Sequence, residues 1–211
     1  MNAPDSSLLS LVSAANAREA QSPVSALFMR RWSARGMTGE KIPEEVLQAL
    51  FEAARFAPSS YNSQPWRFAF ARRGTPAFDL YIDALFDANK VWAREASALV
   101  LVASKAKFTP PGKDAEIVSR TSSFDTGAAW ASLAYQAAIL GWSTRAMGGF
   151  DMDKARGAAK APDFLNLEAI VAVGKRAEAT SVPEAIRQID HPNNRRPVAA
   201  SAFENSFPEN C

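Results

Sequence analysis

Cysteine and histidine are almost absent: the 211-residue chain has one of each, Cys211 and His191. A lone cysteine excludes an intramolecular disulfide, so nothing marks adaptation to an oxidising compartment. The pair is too sparse for a Cys/His zinc site, and no metal is expected. Cys-His nucleophilic chemistry would rest on a terminal residue, where backbone is poorly held. A Ser-His-Asp triad would need the histidine of the loop-like run HPNNRRP, far from the geometry such triads demand. Long apolar runs are missing too. None approaches the roughly 20 residues of a bilayer span, and MNAPDSSLLSLVSAANA lacks the basic start of a signal peptide. A cytoplasmic protein without membrane contact is the expectation. Neither G-x-G-x-x-G nor G-x-x-x-x-G-K-[ST] occurs, which leaves a Rossmann dinucleotide fold and a P-loop unsupported. A formal charge of +2 is too small to imply nucleic acid, while a pI near 8.8 fits mild attraction to anionic ligands.

What is present is an ordinary soluble composition, 47% hydrophobic and 22% charged, able to bury one core. The chain is organised around 30–68, RRWSARGMTGEKIPEEVLQALFEAARFAPSSYNSQPWRF. Pro43 fits a first helical position, and Glu44 and Glu45 suit the positive end of the helix dipole. Val46, Leu47, Leu50, Phe51 and Ala54 share one face at helical spacing, and Pro58 ends the run. Before this helix lie Arg30, Arg31 and Arg35 around Ser33, guanidinium and hydroxyl donors that can grip a phosphate. After it, Ser59, Ser60, Asn62 and Gln64 offer uncharged donors and acceptors, the requirement of a flat heterocycle with alternating N–H, N and C=O groups. Together they point to a nucleotide-like cofactor. Read singly, the arginines also fit a solvated face and the loop a plain turn.

Residues 1–21 read as loosely attached, with a short helix around Leu8 to Ala15, and 198–211 as an arm; 22–197 form the domain between them. Ser22 and Pro23 suit the start of a helix whose buried face is Val24, Leu27 and Phe28. Arg67–Arg72 reads as a strand. Phe78–Asp83 reads as another, because Phe78, Leu80 and Ile82 alternate with Asp79, Tyr81 and Asp83. Arg73-Gly74-Thr75-Pro76 would close the two into an antiparallel hairpin. A helix over 89–96 turns Trp92 inward. Ala98–Ala103 is a continuous apolar run, the pattern of a central strand buried on both faces. Polar loop fills 105–119. The run TGAAWASLAYQAAIL, 126–140, is apolar nearly all round and predicts a buried helix ended by Gly141. A strand over 142–147 leads into Gly148-Gly149-Phe150-Asp151. That turn is either a backbone approaching something closely or a simple turn with Asp151 capping a helix over 152–160. Leu167–Val173 is the last strand, and from Pro183 an extended tail carries Arg195 and Arg196, which equally fit a solvated basic tail. Four or five strands among helices give an α+β three-layer architecture.

The combination R-x-S-x-R, helix, P-S-S-x-N-S-Q-P-W resembles the N-terminal signature of the nitroreductase family of FMN-dependent flavoenzymes, and the likeness runs from about Arg30 to Pro197. The resemblance implies the nitroreductase-like three-layer sandwich, a mixed or antiparallel central sheet flanked by helices, in an intertwined homodimer with flavin at the subunit interface. It implies FMN as cofactor, NAD(P)H as electron donor, nitro compounds or quinones as small-molecule substrates, and chemistry carried by the flavin rather than a catalytic side chain. By the same resemblance Arg31, Ser33, Arg35 and the Arg195/Arg196 pair would hold phosphate and ribityl groups. Pro58, Ser59, Ser60, Asn62 and Gln64 would line the flavin from the partner subunit, and Gly148 and Gly149 would present N–H groups to its N5. Some relatives carry an acidic residue where this chain has Gly148, so only a backbone role carries over. Asn89, Lys90, Trp92 and Arg94 fall where many relatives place a basic group near flavin N1/O2. Two other functions remain open on the sequence: an FMN-dependent oxidase or dehydrogenase, and a flavin-binding storage or sensor protein without turnover.

Overall fold

The computed structural model describes residues 18–209, so the expected short helix around Leu8 to Ala15, like Cys211, lies outside the described residues. Its centre is a four-stranded antiparallel sheet: β1 (Trp66–Arg72), β2 (Ala98–Lys105), β5 (Ser143–Met147) and β6 (Leu165–Gly174), in the order β1-β2-β6-β5. β2 is buried along almost its whole length, as its continuous apolar sequence predicts. It lies between β1 and β6, with Val100 opposite both Phe70 and Val171. The small strands β3 (Lys107–Phe108) and β4 (Ile117–Val118) pair separately within the stretch expected to be loop.

Strand alternation divides the core into two layers of packing. Leu99, Leu101 and Ile170 face one side, where they meet α3 (Pro76–Ala84), α4 (Asp87–Ala93) and α6 (Met152–Ala159). Val100, Val102, Val171 and Val173 face the other, against α2 (Glu44–Arg55) and α5 (Ser122–Ile139). Helix, sheet and helix thus form the three-layer sandwich, with every sheet pairing antiparallel rather than mixed. α2 buries Leu47, Leu50 and Ala54, the face its periodicity marks. Each large apolar side chain taken from water there contributes about 1.5–3 kcal/mol.

Several expected elements differ. The stretch 78–83 is helical, not a strand, and the hairpin does not form: β1 pairs with β2. The Thr75 hydroxyl caps α3 by accepting from Phe78 N, and Pro76 occupies its first turn. Phe78, Tyr81, Ile82 and Leu85 are buried at helical spacing, while Leu80, the alternation's middle member, is 52% exposed. α1 (Ala26–Arg30) starts after Ser25 instead of Ser22, and Val24 and Phe28 lie on the surface rather than in a buried face. α4 begins and ends earlier than 89–96 but does bury Trp92. α5 is longer than 126–140 and buries one face only; Phe124 and Ile139 are exposed. The tail from Pro183 is not wholly extended, because α7 (Glu184–Arg187) opens it. Among the described residues, no helix is long and apolar enough to cross a membrane.

Candidate functional site

Five arginines from four parts of the chain line one cavity of about 400 Å3: Arg18, Arg31, Arg35, Arg145 and Arg195. Ser33, His191 and Asn193 complete its polar wall. Arg31 and Arg35 project from the extended segment after α1, and Arg145 from β5. The C-terminal tail closes over them. Asp190 accepts hydrogen bonds from the backbone N–H groups of Arg35 at 2.6 Å and Gly36 at 2.8 Å. The Arg35 guanidinium donates to the Ile189 carbonyl at 2.8 Å. Arg18 ties the same parts together, donating to the carbonyls of Arg31 and Asn193, each at 2.8 Å.

No carboxylate lines this cavity among the described residues, and the electrostatics register it. Burial, then Arg35, holds the Arg145 guanidinium below its ordinary pKa, with Asp190 acting the other way. Burial likewise lowers Arg31, opposed by Tyr135 and reinforced by Arg195. Arg18 is lowered by burial and by Arg195 and Arg31. All three remain charged, since an arginine does not lose its proton in a protein. The lowering expresses burial first and crowded positive charge second, and an anion in the cavity would relieve the crowding.

Of the residues named from sequence, Arg31, Ser33, Arg35 and Arg195 meet here, whereas Arg196 is exposed and is not part of the wall. Arg145 was not singled out. Its signal was a charged residue inside the strand STRAM, next to buried Thr144 and just before the double glycine. Its guanidinium lies 5.5 Å over the Trp92 ring, one helical turn from Asn89. Asn89 Nδ2 donates to the Gly149 carbonyl at 3.2 Å, and Phe86 N donates to it at 3.0 Å. A Cβ on Gly149 would stand 3.2 Å from both Asn89 Nδ2 and Phe86 Cδ2, so glycine there lets the turn pack against α4. Asp151 caps α6 by accepting from Lys154 N, so the capping reading of the Gly148–Asp151 turn holds. Lys90 is held by Asp87 at 3.1 Å and borders a different groove with Lys154 and Gly157.

The polar loop is elsewhere in the chain's own fold. Pro58, Asn62 and Gln64 are exposed, and Ser59 and Ser60 half-buried. Tyr61, Asn62 and Gln64 have φ of 54°, 51° and 48°. Left-handed backbone costs a non-glycine residue roughly 1–2 kcal/mol, so this path persists only because its surroundings fix it. Gln64 N donates to Ser59 Oγ at 3.0 Å, and Gln64 Nε2 to the Asn62 carbonyl at 3.1 Å. Ser60 N donates to Asp125 Oδ2 at 3.1 Å, in the first turn of α5. The arginine cavity adjoins the far part of the same helix, where Phe28 packs on Tyr135 with ring centroids 4.9 Å apart. Asp125 and Tyr135 are separated by about 15 Å of helical rise. One chain therefore does not bring its polar loop to its own arginines.

An antiparallel sheet between helical layers, with an arginine-walled cavity beside it and a strained polar loop, defines an α+β protein with a strongly basic cavity. The profile of the Nitroreductase family matches residues 28–175, and the chain belongs to that family. Its fold is the nitroreductase fold. An oxidoreductase containing FMN has a crystal structure that matches at a TM-score of 0.86 and 37% identity, over 93% of this chain and 98% of that one. A Desulfovibrio desulfuricans protein solved in complex with FMN matches at 0.67 and 25% identity, over 90% and 100% of the two chains. The oxygen-insensitive NADPH nitroreductase of Helicobacter acinonychis (strain Sheeba) is 40% identical over 60 residues, so the match spans only 28% of that relative's length and 28% of this chain.

Proposed function

We propose that this chain is an FMN-dependent NAD(P)H oxidoreductase that reduces nitro compounds or quinones, working as a homodimer with cofactor sites between subunits. The observation that carries the reading is the cavity itself: five guanidiniums with no lining carboxylate among the described residues. That donor set fits a phosphate monoester, which takes paired charge-assisted hydrogen bonds from planar guanidinium groups. Bound FMN would supply the redox chemistry, hydride uptake from NAD(P)H and electron delivery to the substrate. The chain's own residues bind and orient. Arg31, Ser33, Arg35, Arg145 and Arg195 hold the phosphate end. Gly148 and Gly149 follow Arg145 along and beyond β5, roughly 10–13 Å further on at strand rise, so phosphate grip and glycine turn are joined by one rigid element.

The geometry of α5 supports the shared-site arrangement. Its first turn holds the polar loop and its last turns adjoin the arginines. Two copies of α5 packed antiparallel about a two-fold axis set the loop of each chain beside the arginines of the other. Asn62 and Gln64 would then offer their amides to the flavin edge. The matched structures containing FMN and a relative named for NADPH support cofactor and donor. The absorbance spectrum of the purified protein tests this, with a yellow protein releasing FMN expected. A colourless protein that also takes up no added FMN would end the proposal. Rapid mixing with NADH or NADPH should bleach the flavin, and a flavin untouched by both would reject the reductase role.

A further inference from the structure

Asp125 is a carboxylate without a cation. It is 4% exposed, sits in the first turn of α5, and belongs to no ion pair among the described residues. A buried ionised group needs strong hydrogen-bond donors to remain there. Its Oδ2 receives two: Thr121 Oγ1 at 2.9 Å and the backbone N–H of Ser60 at 3.1 Å. Thr121 is itself fixed, its N–H donating to Ser119 Oγ at 3.3 Å. The first donor is local to the helix start. The second lies 65 residues away in sequence, at the head of the loop that carries Tyr61, Asn62 and Gln64 through left-handed backbone.

Several other bonds of that loop are internal. Asn62 N reaches the Ser59 carbonyl, Ser63 N the Ser60 carbonyl, and Gln64 N the Ser59 hydroxyl, each at 3.0 Å. Internal bonds fix the loop's shape but not its place on the fold. At its far end the loop is tied to β1 and β2, where Arg67 Nη1 donates to the Gln64 carbonyl at 3.0 Å and Lys105 N to the Pro65 carbonyl at 2.8 Å, and Tyr61 packs on Phe108. At its leading end the Asp125–Ser60 bond fixes its place, because it anchors Ser60 to a helix packed on the sheet. A charged acceptor makes that tie roughly twice as strong as a neutral one. We infer that Asp125 is the positioning residue that presets the polar loop for the cofactor ring; this rests on the proposed role of the loop at FMN. Asp125 touches no reacting atom. It acts through Ser60, and by the shared-site arrangement it serves the cofactor held by the partner's arginines.

The test compares Asp125→Ala and Asp125→Asn with wild type in four measurements. These are amide hydrogen exchange of 59–64 without FMN, the visible spectrum of bound FMN, its midpoint potential, and the thermal midpoint. In Asp125→Ala the loop amides should exchange about tenfold faster or more, the loss of one hydrogen bond to a charged group. The flavin spectrum and potential should move toward those of free FMN. Asp125→Asn, which keeps an acceptor oxygen, should restore most of both. A lower melting temperature with unchanged loop exchange, spectrum and potential would overturn the inference, leaving Asp125 a mere brace for α5. Equal shifts in both variants would overturn it as well, since the retained acceptor would then do nothing. If Asp125→Ala does not fold, Asp125→Asn decides alone: a small shift in loop exchange and spectrum, in the direction of free loop and free FMN, is expected, and none overturns it. If wild type takes up no FMN, the proposed function fails separately. The exchange comparison then still decides whether Asp125 holds the loop.

Discussion

Arg145 donates a hydrogen bond to the backbone carbonyl of Ser33, joining β5 to the R-x-S-x-R segment across 112 positions of sequence. The bond places a strand arginine in the wall of the same cavity as Arg31 and Arg35, and the Trp92 ring beneath its guanidinium restricts where that group can go.

Arg145 should therefore matter to cofactor affinity as much as the motif arginines do. Arg145→Leu is expected to weaken FMN binding by about 1.5–3 kcal/mol, the scale of a hydrogen bond to a charged group. Arg145→Lys should restore only part of it, because an ammonium lacks the planar fork. Fluorescence titration of the apoprotein measures both. An unchanged affinity in Arg145→Leu would remove this residue from the phosphate grip.

The flanks of α2 should divide the work. Arg35→Ala is expected to lose FMN affinity by about 1.5–3 kcal/mol, with turnover recovered by added FMN because the phosphate end is remote from the reacting atom. Asn62→Leu should reduce turnover in a way excess FMN does not rescue, since in the proposed site its amide would face the ring. Steady-state rates at rising FMN concentration separate the two. Should both variants lose affinity alone, the loop anchors the cofactor and does nothing at the ring.

The layer between α2 and the sheet sets the stability of the whole arrangement. Leu133 of α5 is fully buried in it. Leu133→Ala should cost about 2–5 kcal/mol, the lost transfer energy plus the cavity left behind. Urea unfolding provides the measurement. A cost below 1 kcal/mol, on the scale typical of surface changes, would mean that α5 is not packed as described.

Much of this was legible in sequence, for definite reasons. α2 and β2 announce themselves because their side-chain patterns are long enough to have one reading, a full amphipathic face and an unbroken apolar run. The stretch 78–83 misled because six residues of alternation also satisfy a helix. Only Thr75 and Pro76, a cap and a first-turn proline, distinguish the cases. α5 looked buried all round because its alanines are apolar without saying which side they cover. Part of the cavity wall was readable at Arg31, Ser33 and Arg35, where a motif is local. Asp190, which clamps the backbone of Arg35 and Gly36 from 154 or more positions away, could not be read, because nothing local relates a tail aspartate to that segment. The separation of the polar loop and the arginines along α5 was suggested only by the family resemblance, as it depends on which end of a helix each meets.

That partition has a genetic consequence. If each site takes arginines from one chain and a polar loop from the other, a chain defective in one part can be complemented by a chain defective in the other. A mixed dimer of Arg35→Ala with Asn62→Leu would contain one doubly damaged site and one wholly intact site. Random reassortment of the two variants should thus restore about a quarter of the wild-type sites, in particles of about twice 22.8 kDa, measurable as activity at limiting FMN. Under that arrangement, a cell making both crippled forms together would regain part of the activity that each form alone lacks.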